Sequence, residues 1–121
     1  MVEVICDTNF LINLATKKIR NFDQFSVELS ISFLVPNVVI SELNKLKLIP
    51  NKKNNVELTL NFIKKFKKIP LNGTFADDEI LNFTKLNKPF VATMDRELKK
   101  NIKKVGGTII SFHNNYLILE S

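Results

Sequence analysis
Apolar positions along this chain switch repeatedly between two spacings. Short unbroken apolar runs read as buried strands, and apolar residues three and four apart read as helices. Val2, Val4, Ile5 and Cys6 form the first run, which stops at Asp7. Residues 9–18 then place Phe10, Leu11 and Leu14 on one helical side. Residues 30–36 (SISFLVP) predict a second strand stopped by proline, and Val39, Leu43 and Leu46 predict a helix after it. Residues 49–55 (IPNKKNN) carry the composition of a loop. Val56, Leu60, Ile63 and Phe66 then predict a helix over 56–66, followed by a short third strand in KKIPL. A turn precedes a helix from about Ala76. Residues 89–93 (PFVAT) predict a fourth strand. Leu98, Ile102 and Val105 predict a helix closed by Gly106 and Gly107, and TIISF predicts a fifth strand. The stretch YLILE reads as a further edge strand.

Strands and helices alternating in this way predict a parallel sheet covered on both faces. Right-handed crossovers make it a three-layer α/β/α domain with a central, mainly parallel five-stranded sheet. No repeat or linker divides the chain, so residues 1–121 are expected to form a single domain.

In such sheets ligands bind beyond the carboxyl ends of the strands. Four acids fall there. Asp7 follows the first strand, Glu42 lies in the helix after the second, Asp77 opens the helix after the third, and Asp95 stands just past the fourth. Each also has an ordinary reading. Asp7 and Asp95 suit the N-caps of the helices they precede, TFAD (74–77) fits a loose capping box, and Glu42 suits a helix surface. Ser and Asn serve equally well as caps, so capping alone does not account for acids at all four junctions. Converging carboxylates repel one another and raise each other's pKa. A divalent cation among them reverses that balance, and hard oxygen donors select Mg2+ or Mn2+. Those ions polarise phosphates and activate water.

The stretches VICDTNFLI, VPNVVISELNKL, ADDEIL and FVATMDRELKK, in this order, resemble the PIN-domain nucleases over nearly the whole chain. The resemblance implies an α/β/α, PIN-like fold and a Mg2+- or Mn2+-dependent endoribonuclease whose metal-holding and catalytic residues are Asp7, Glu42, Asp77 and Asp95. Asp77 is preferred to Asp78 because it opens the helix and stands 18 residues before Asp95, as in the family's pattern. Asn9 and Thr93 then match residues that orient the carboxylates, with Glu97 and Asp78 in supporting positions. The implied reaction is metal-assisted hydrolysis of an RNA phosphodiester, leaving a 5′-phosphate and a 3′-hydroxyl without a histidine base. His113 follows the fifth strand and reads as a loop or edge residue.

ADDEIL and FVATMDRELKK look closest to the archaeal PIN branch, related to nucleases of the small-subunit processome. That resemblance suggests rRNA processing, on rRNA or another structured RNA. The chain has no cysteine-rich zinc ribbon of the kind found in nucleases trimming the 3′ end of small-subunit rRNA. VapC-type toxins share the acidic quartet, so a toxin with an antitoxin partner is an alternative, as is a non-catalytic RNA-binding module. A homodimer is also left open. A phosphoacceptor receiver would need paired acids at the first strand, and an aspartyl phosphatase would need Asp-x-Asp where this chain has DTN.

Charge supports an RNA partner. The chain carries 18 Lys and Arg against 12 Asp and Glu, a net +6, which favours a polyanion. A chain using Lys as its default surface residue shows the same excess. Arg96, Lys99, Lys52 and Lys53 are the cations expected to flank the acids and hold phosphates, since an acidic pocket alone repels RNA. The single cysteine, Cys6, excludes an internal disulfide and a multi-cysteine zinc site. No basic-then-apolar leader precedes Asp7, and no apolar run approaches the ~20 residues a membrane span needs. The expected location is cytoplasmic, away from membranes.

Overall fold
In the computed structural model, which describes residues 1–120, the chain begins with β1 (Val2–Cys6), α1 (Thr8–Thr16), α2 (Phe22–Glu28), β2 (Ile31–Pro36), α3 (Asn37–Leu46) and α4 (Lys53–Phe62). A 3-10 turn (Ile63–Lys65) leads to β3 (Lys67–Ile69), α5 (Ala76–Asn87), β4 (Phe90–Ala92), α6 (Arg96–Lys104), β5 (Thr108–His113) and β6 (Tyr116–Glu120). The strands form one sheet in the order β3-β2-β1-β4-β5-β6. The first five are parallel, and β6 returns antiparallel beside β5. The stretch YLILE is therefore a sixth strand, added at the edge of the five parallel ones.

β1 sits in the middle, with Val4, Ile5 and Cys6 fully buried. Strands covered on both faces need apolar side chains on both, which is why these runs do not alternate with polar residues. From β1 the chain winds outward through β2 and β3, then returns to the other side of β1 for β4 and β5. With right-handed crossovers, that reversal puts α1 to α4 on one face and α5 and α6 on the other. Accordingly α1 and α3 pack on α4, and α5 packs on α6. The reversal occurs between β1 and β4, the place where open α/β sheets leave a crevice at their carboxyl ends.

Helix α2 has no counterpart in the hydrophobic pattern. It is the shortest of the α-helices, it buries no residue completely, and no side chain caps its N-terminus. Its hold is tertiary. Phe22 stacks on Phe33 of β2 (centroids 5.7 Å apart) and meets Phe62 edge-on. Just before it, the Asn21 amide accepts from Leu117 N–H (2.7 Å) and donates to Leu117 C=O (3.0 Å). That pairing covers part of the free edge of β6. At the opposite edge, β3 carries exposed Lys67 and Lys68, charges that discourage edge-to-edge pairing.

The loop expected over 49–55 is shorter, because α4 starts at Lys53. Asn54 and Asn55 have low helix propensity, but Val56 and Thr59 are buried on the helix that packs against α1 and override it. The same helix ends at Phe62, and the 3-10 turn carries Ile63 into the core.

Candidate active site
The four acids named from the sequence line one cleft of about 540 Å³ at the carboxyl ends of the strands, with Thr8, Asn9, Lys52, Asn55 and Ala76 among their neighbours. Each arrives from a different strand exit. β1 delivers Asp7, the helix after β2 delivers Glu42, the helix after β3 delivers Asp77, and the turn after β4 delivers Asp95. The cleft opens beside the β1–β4 reversal.

A web of hydrogen bonds fixes the carboxylates. Asp7 Oδ1 accepts from Thr8 N–H (2.8 Å), and its Oδ2 accepts from the Thr93 hydroxyl (3.0 Å). The Thr93 oxygen in turn accepts from Asp95 N–H (3.1 Å), and Asp95 Oδ1 accepts from Leu98 N–H (2.9 Å). On the other side, Glu42 Oε1 accepts from the Thr8 hydroxyl (2.7 Å), and Oε2 accepts from Ala76 N–H (2.9 Å). Asp77 Oδ1 accepts from Asp78 N–H (3.0 Å). One continuous chain of contacts thus runs through Asp95, Asp7 and Glu42, while Asp77 bonds, among the described residues, only the N–H of its neighbour Asp78. Asp7 and Asp95 do cap α1 and α6, and both also line the shared cleft. The TFAD capping box does not form. Phe75 is the N-cap of α5 and makes no side-chain cap bond. Glu42, from α3, satisfies the first free N–H of α5 instead.

Burial, first of all, pushes the Asp7 carboxyl above its ordinary value, and repulsion from Glu42 and Asp95 adds to it. The Thr8 N–H and the Thr93 hydroxyl oppose the shift by bonding the charged form. Burial also pushes the neighbouring Cys6 thiol up, with Asp7 reinforcing the effect. Cys6 is therefore an inert core residue. Asp77 and Asp95 are exposed, while Asp7 and Glu42 are partly buried.

The other residues named from the sequence fall into distinct places. Thr93 is fully buried and bonded to Asp7, whereas Asn9 is an exposed part of the cleft wall. The partner of Thr93 in orienting carboxylates is Thr8. Asp78 and Glu97 border a smaller adjoining cleft with Asp77, Asp95 and Asn101. Lys52 lines the main cleft, and Lys53 faces Glu57 one helical turn on (3.9 Å). Arg96 is exposed at the first position of α6. Lys99 is ion-paired with Glu120 of β6 (2.7 Å), so its charge is engaged away from the four acids. His113 is exposed at the end of β5. Sequence reasoning missed Thr8, Asn55 and the Ala76 N–H. Thr8 sits inside the DTN stretch and carried a signal, since its hydroxyl follows an acid at a strand exit. A backbone N–H carries none.

The anionic donors the cleft offers a cation are carboxylate oxygens, the hard set suited to Mg2+ or Mn2+. Among the described residues, no three His, Cys, Asp or Glu side chains are already gathered around one ion position.

Comparison with known proteins gives concordant results. The family profile described as a PIN like domain matches residues 4–115. Ribonuclease VapC4 of Methanocaldococcus jannaschii is 34% identical over 111 residues, covering 84% of this chain and 83% of that protein. The rRNA-processing protein FCF1 homolog of Homo sapiens is 30% identical over 119 residues, 93% of this chain but 58% of that protein. The chain thus spans little more than half the length of this relative. A solved structure of the PIN domain endonuclease Utp24 superimposes with a TM-score of 0.81 at 31% identity, covering 98% of this chain and 90% of that one.

Proposed function
Because the chain belongs to the PIN-like domain family of nucleases, we propose that it is a metal-dependent endoribonuclease that hydrolyses RNA phosphodiester bonds in the cleft of Asp7, Glu42, Asp77 and Asp95. The observation that carries this reading is the meeting of four acids from four separate strand exits in one cleft at the β1–β4 reversal. Topology brings the four strand exits to one edge, but capping does not require an acid at each of them, since Ser and Asn cap equally well.

The residues suit a divalent cation chemically. Asp7 is already raised by burial and by two neighbouring carboxylates, an excess of negative charge that a cation relieves. Asp7 and Glu42 are each anchored through both oxygens, and an ionised carboxylate retains further lone pairs. Asp95 and Asp77 are exposed and each held through one oxygen, so they are the groups free to close on an ion. A Mg2+ or Mn2+ ion held there would polarise the scissile phosphate, favour hydroxide at neutral pH and stabilise the leaving oxygen. Thr8 and Thr93 keep the two inner carboxylates aligned. Lys52 sits on the cleft wall where a flanking phosphate needs a cation. The expected products are a 5′-phosphate and a 3′-hydroxyl.

The RNA is proposed to be rRNA or another structured RNA, supported by similarity to FCF1 and Utp24. Similarity to VapC4 supports the alternative of a toxin ribonuclease restrained by an antitoxin. A small partner protein encoded beside this gene and co-purifying with the product would favour the second role.

The deciding experiment incubates the protein with structured and single-stranded RNA, with Mn2+ or with EDTA, beside an Asp7→Asn variant. The proposal requires cleavage that needs the metal and disappears in the variant. Absence of cleavage, or cleavage indifferent to both EDTA and the substitution, would reject it in favour of a non-catalytic RNA-binding module.

A further inference from the structure
The chain has ten phenylalanines, and nine lie in the core or against it. Phe75 alone stands out, with 60% of its surface exposed. It directly precedes Ala76 and Asp77, both on the cleft wall. The other exposed aromatic, Tyr116, lies on the edge strand β6.

The exposure of Phe75 is built into the fold. Its carbonyl accepts from Glu79 N–H (3.2 Å), and the next N–H, that of Ala76, is held by Glu42 at 2.9 Å. Two residues earlier, Gly73 takes φ +150°, and a Cβ there would lie 2.5 Å from Glu79 Oε2. The turn is thus pressed onto the first turn of α5, and no loop motion is needed to present the ring. An aromatic ring held in water at the edge of a catalytic cleft offers a flat face. Lys52 and Asn55, also on the cleft wall, supply a cation and an amide. An exposed aromatic ring next in sequence to the wall of a cleft that also holds a cation supplies the two elements that bind unpaired nucleic acid, base stacking and phosphate contact.

We propose that Phe75 stacks on one unpaired nucleobase next to the scissile phosphate, so that the substrate is RNA unstacked at that point rather than continuous duplex. This rests on the nuclease reading above. A continuous A-form duplex keeps its base faces covered and gives the ring nothing to stack on.

The chain contains no tryptophan, so Phe75→Trp installs a single fluorescent reporter at the platform. With EDTA present to block cleavage, its emission is expected to be quenched by a single-stranded oligoribonucleotide and not by a blunt duplex of the same sequence. Phe75→Ala and Phe75→Leu should weaken single-stranded binding roughly 5- to 100-fold, while Phe75→Tyr and Phe75→Trp retain it. Circular dichroism melts check that each variant folds, which an exposed position should allow. The proposal is overturned if Phe75→Leu binds single strands as tightly as the parent, or if emission responds equally to both RNAs. It is also overturned if Phe75→Ala leaves RNA affinity intact but turns a dimer into a monomer, since the ring is then a protein contact. If selective quenching is seen but no metal supports cleavage, the nuclease reading fails and the stacking platform stands. If cleavage proceeds and the Phe75 variants behave like the parent, the reverse holds.

Discussion
Replacing Thr8 by valine removes one hydroxyl, keeps the side-chain shape and leaves Glu42 with a single partner. Thr8 is 5% exposed, and its hydroxyl donates to Glu42 Oε1 at 2.7 Å. A hydrogen bond to a charged group contributes roughly 1.5–3 kcal/mol. Glu42 lines an open cleft, so water takes up part of that loss, and about 1–2 kcal/mol is expected. For a domain of this size that lowers Tm by roughly 3–10 °C. Thr8→Ser, which keeps the hydroxyl, should cost less. Cleavage should fall by about 10–100-fold, the usual effect of removing a group that orients a metal-holding side chain. The assay is a double-mutant cycle by thermal or urea unfolding with Thr8→Val and Glu42→Ala, paired with initial rates in Mn2+. If Thr8→Val costs as much in the Glu42→Ala background as in the parent, the hydroxyl does not act through Glu42 and the reasoning is refuted.

Three further outcomes are expected. Asp7 has a raised folded-state pKa, so the folded protein holds that proton more tightly than the unfolded chain does. Stability in EDTA therefore falls as pH rises from the ordinary value of 3.8 into the raised range, and Asp7→Asn should remove that fall, melting higher at neutral pH while losing cleavage. Glu120 behaves oppositely. Lys99 first, then the Ser111 hydroxyl and Lys103, hold its pKa near 2 against an ordinary 4.5, so its contribution is present above 4.5 and lost as pH falls toward 2. Glu120→Gln should cost about 1–2 kcal/mol at pH 7 by urea unfolding, with the gap nearly gone at pH about 2 and cleavage unchanged. Lys52→Ala should weaken RNA binding and lower the slope of log K against log salt by about 0.7. Lys99→Ala should change that slope far less, because its ammonium is already paired with Glu120.

The hydrophobic spacing was sufficient for the parallel strands and for most helices, because burial on both faces of a sheet demands unbroken apolar runs such as Val4 to Cys6. The order of the elements then dictated that Asp7, Glu42, Asp77 and Asp95 leave the sheet at one end. Helix α2 was hidden because its hold comes from Phe22 meeting Phe33 and Phe62, residues distant in sequence. Helix α4 starts earlier, at Lys53, than local propensity implies, because packing against α1 outweighs it. At the site, residue type and spacing named the four acids, but partnership was decided in three dimensions. Glu42 reads locally as a helix-surface residue, yet 34 positions separate it from both Thr8 and Ala76, the groups that hold it. Lys99 reads locally as a cation beside Asp95, yet β6 brings Glu120 to it and removes it from the cleft. The exposure of Phe75 is likewise invisible in a chain rich in buried phenylalanine. Periodicity records which face of an element meets the core. Which distant groups meet across the core depends on how the chain reverses at β1 and β4, and no local window contains that information.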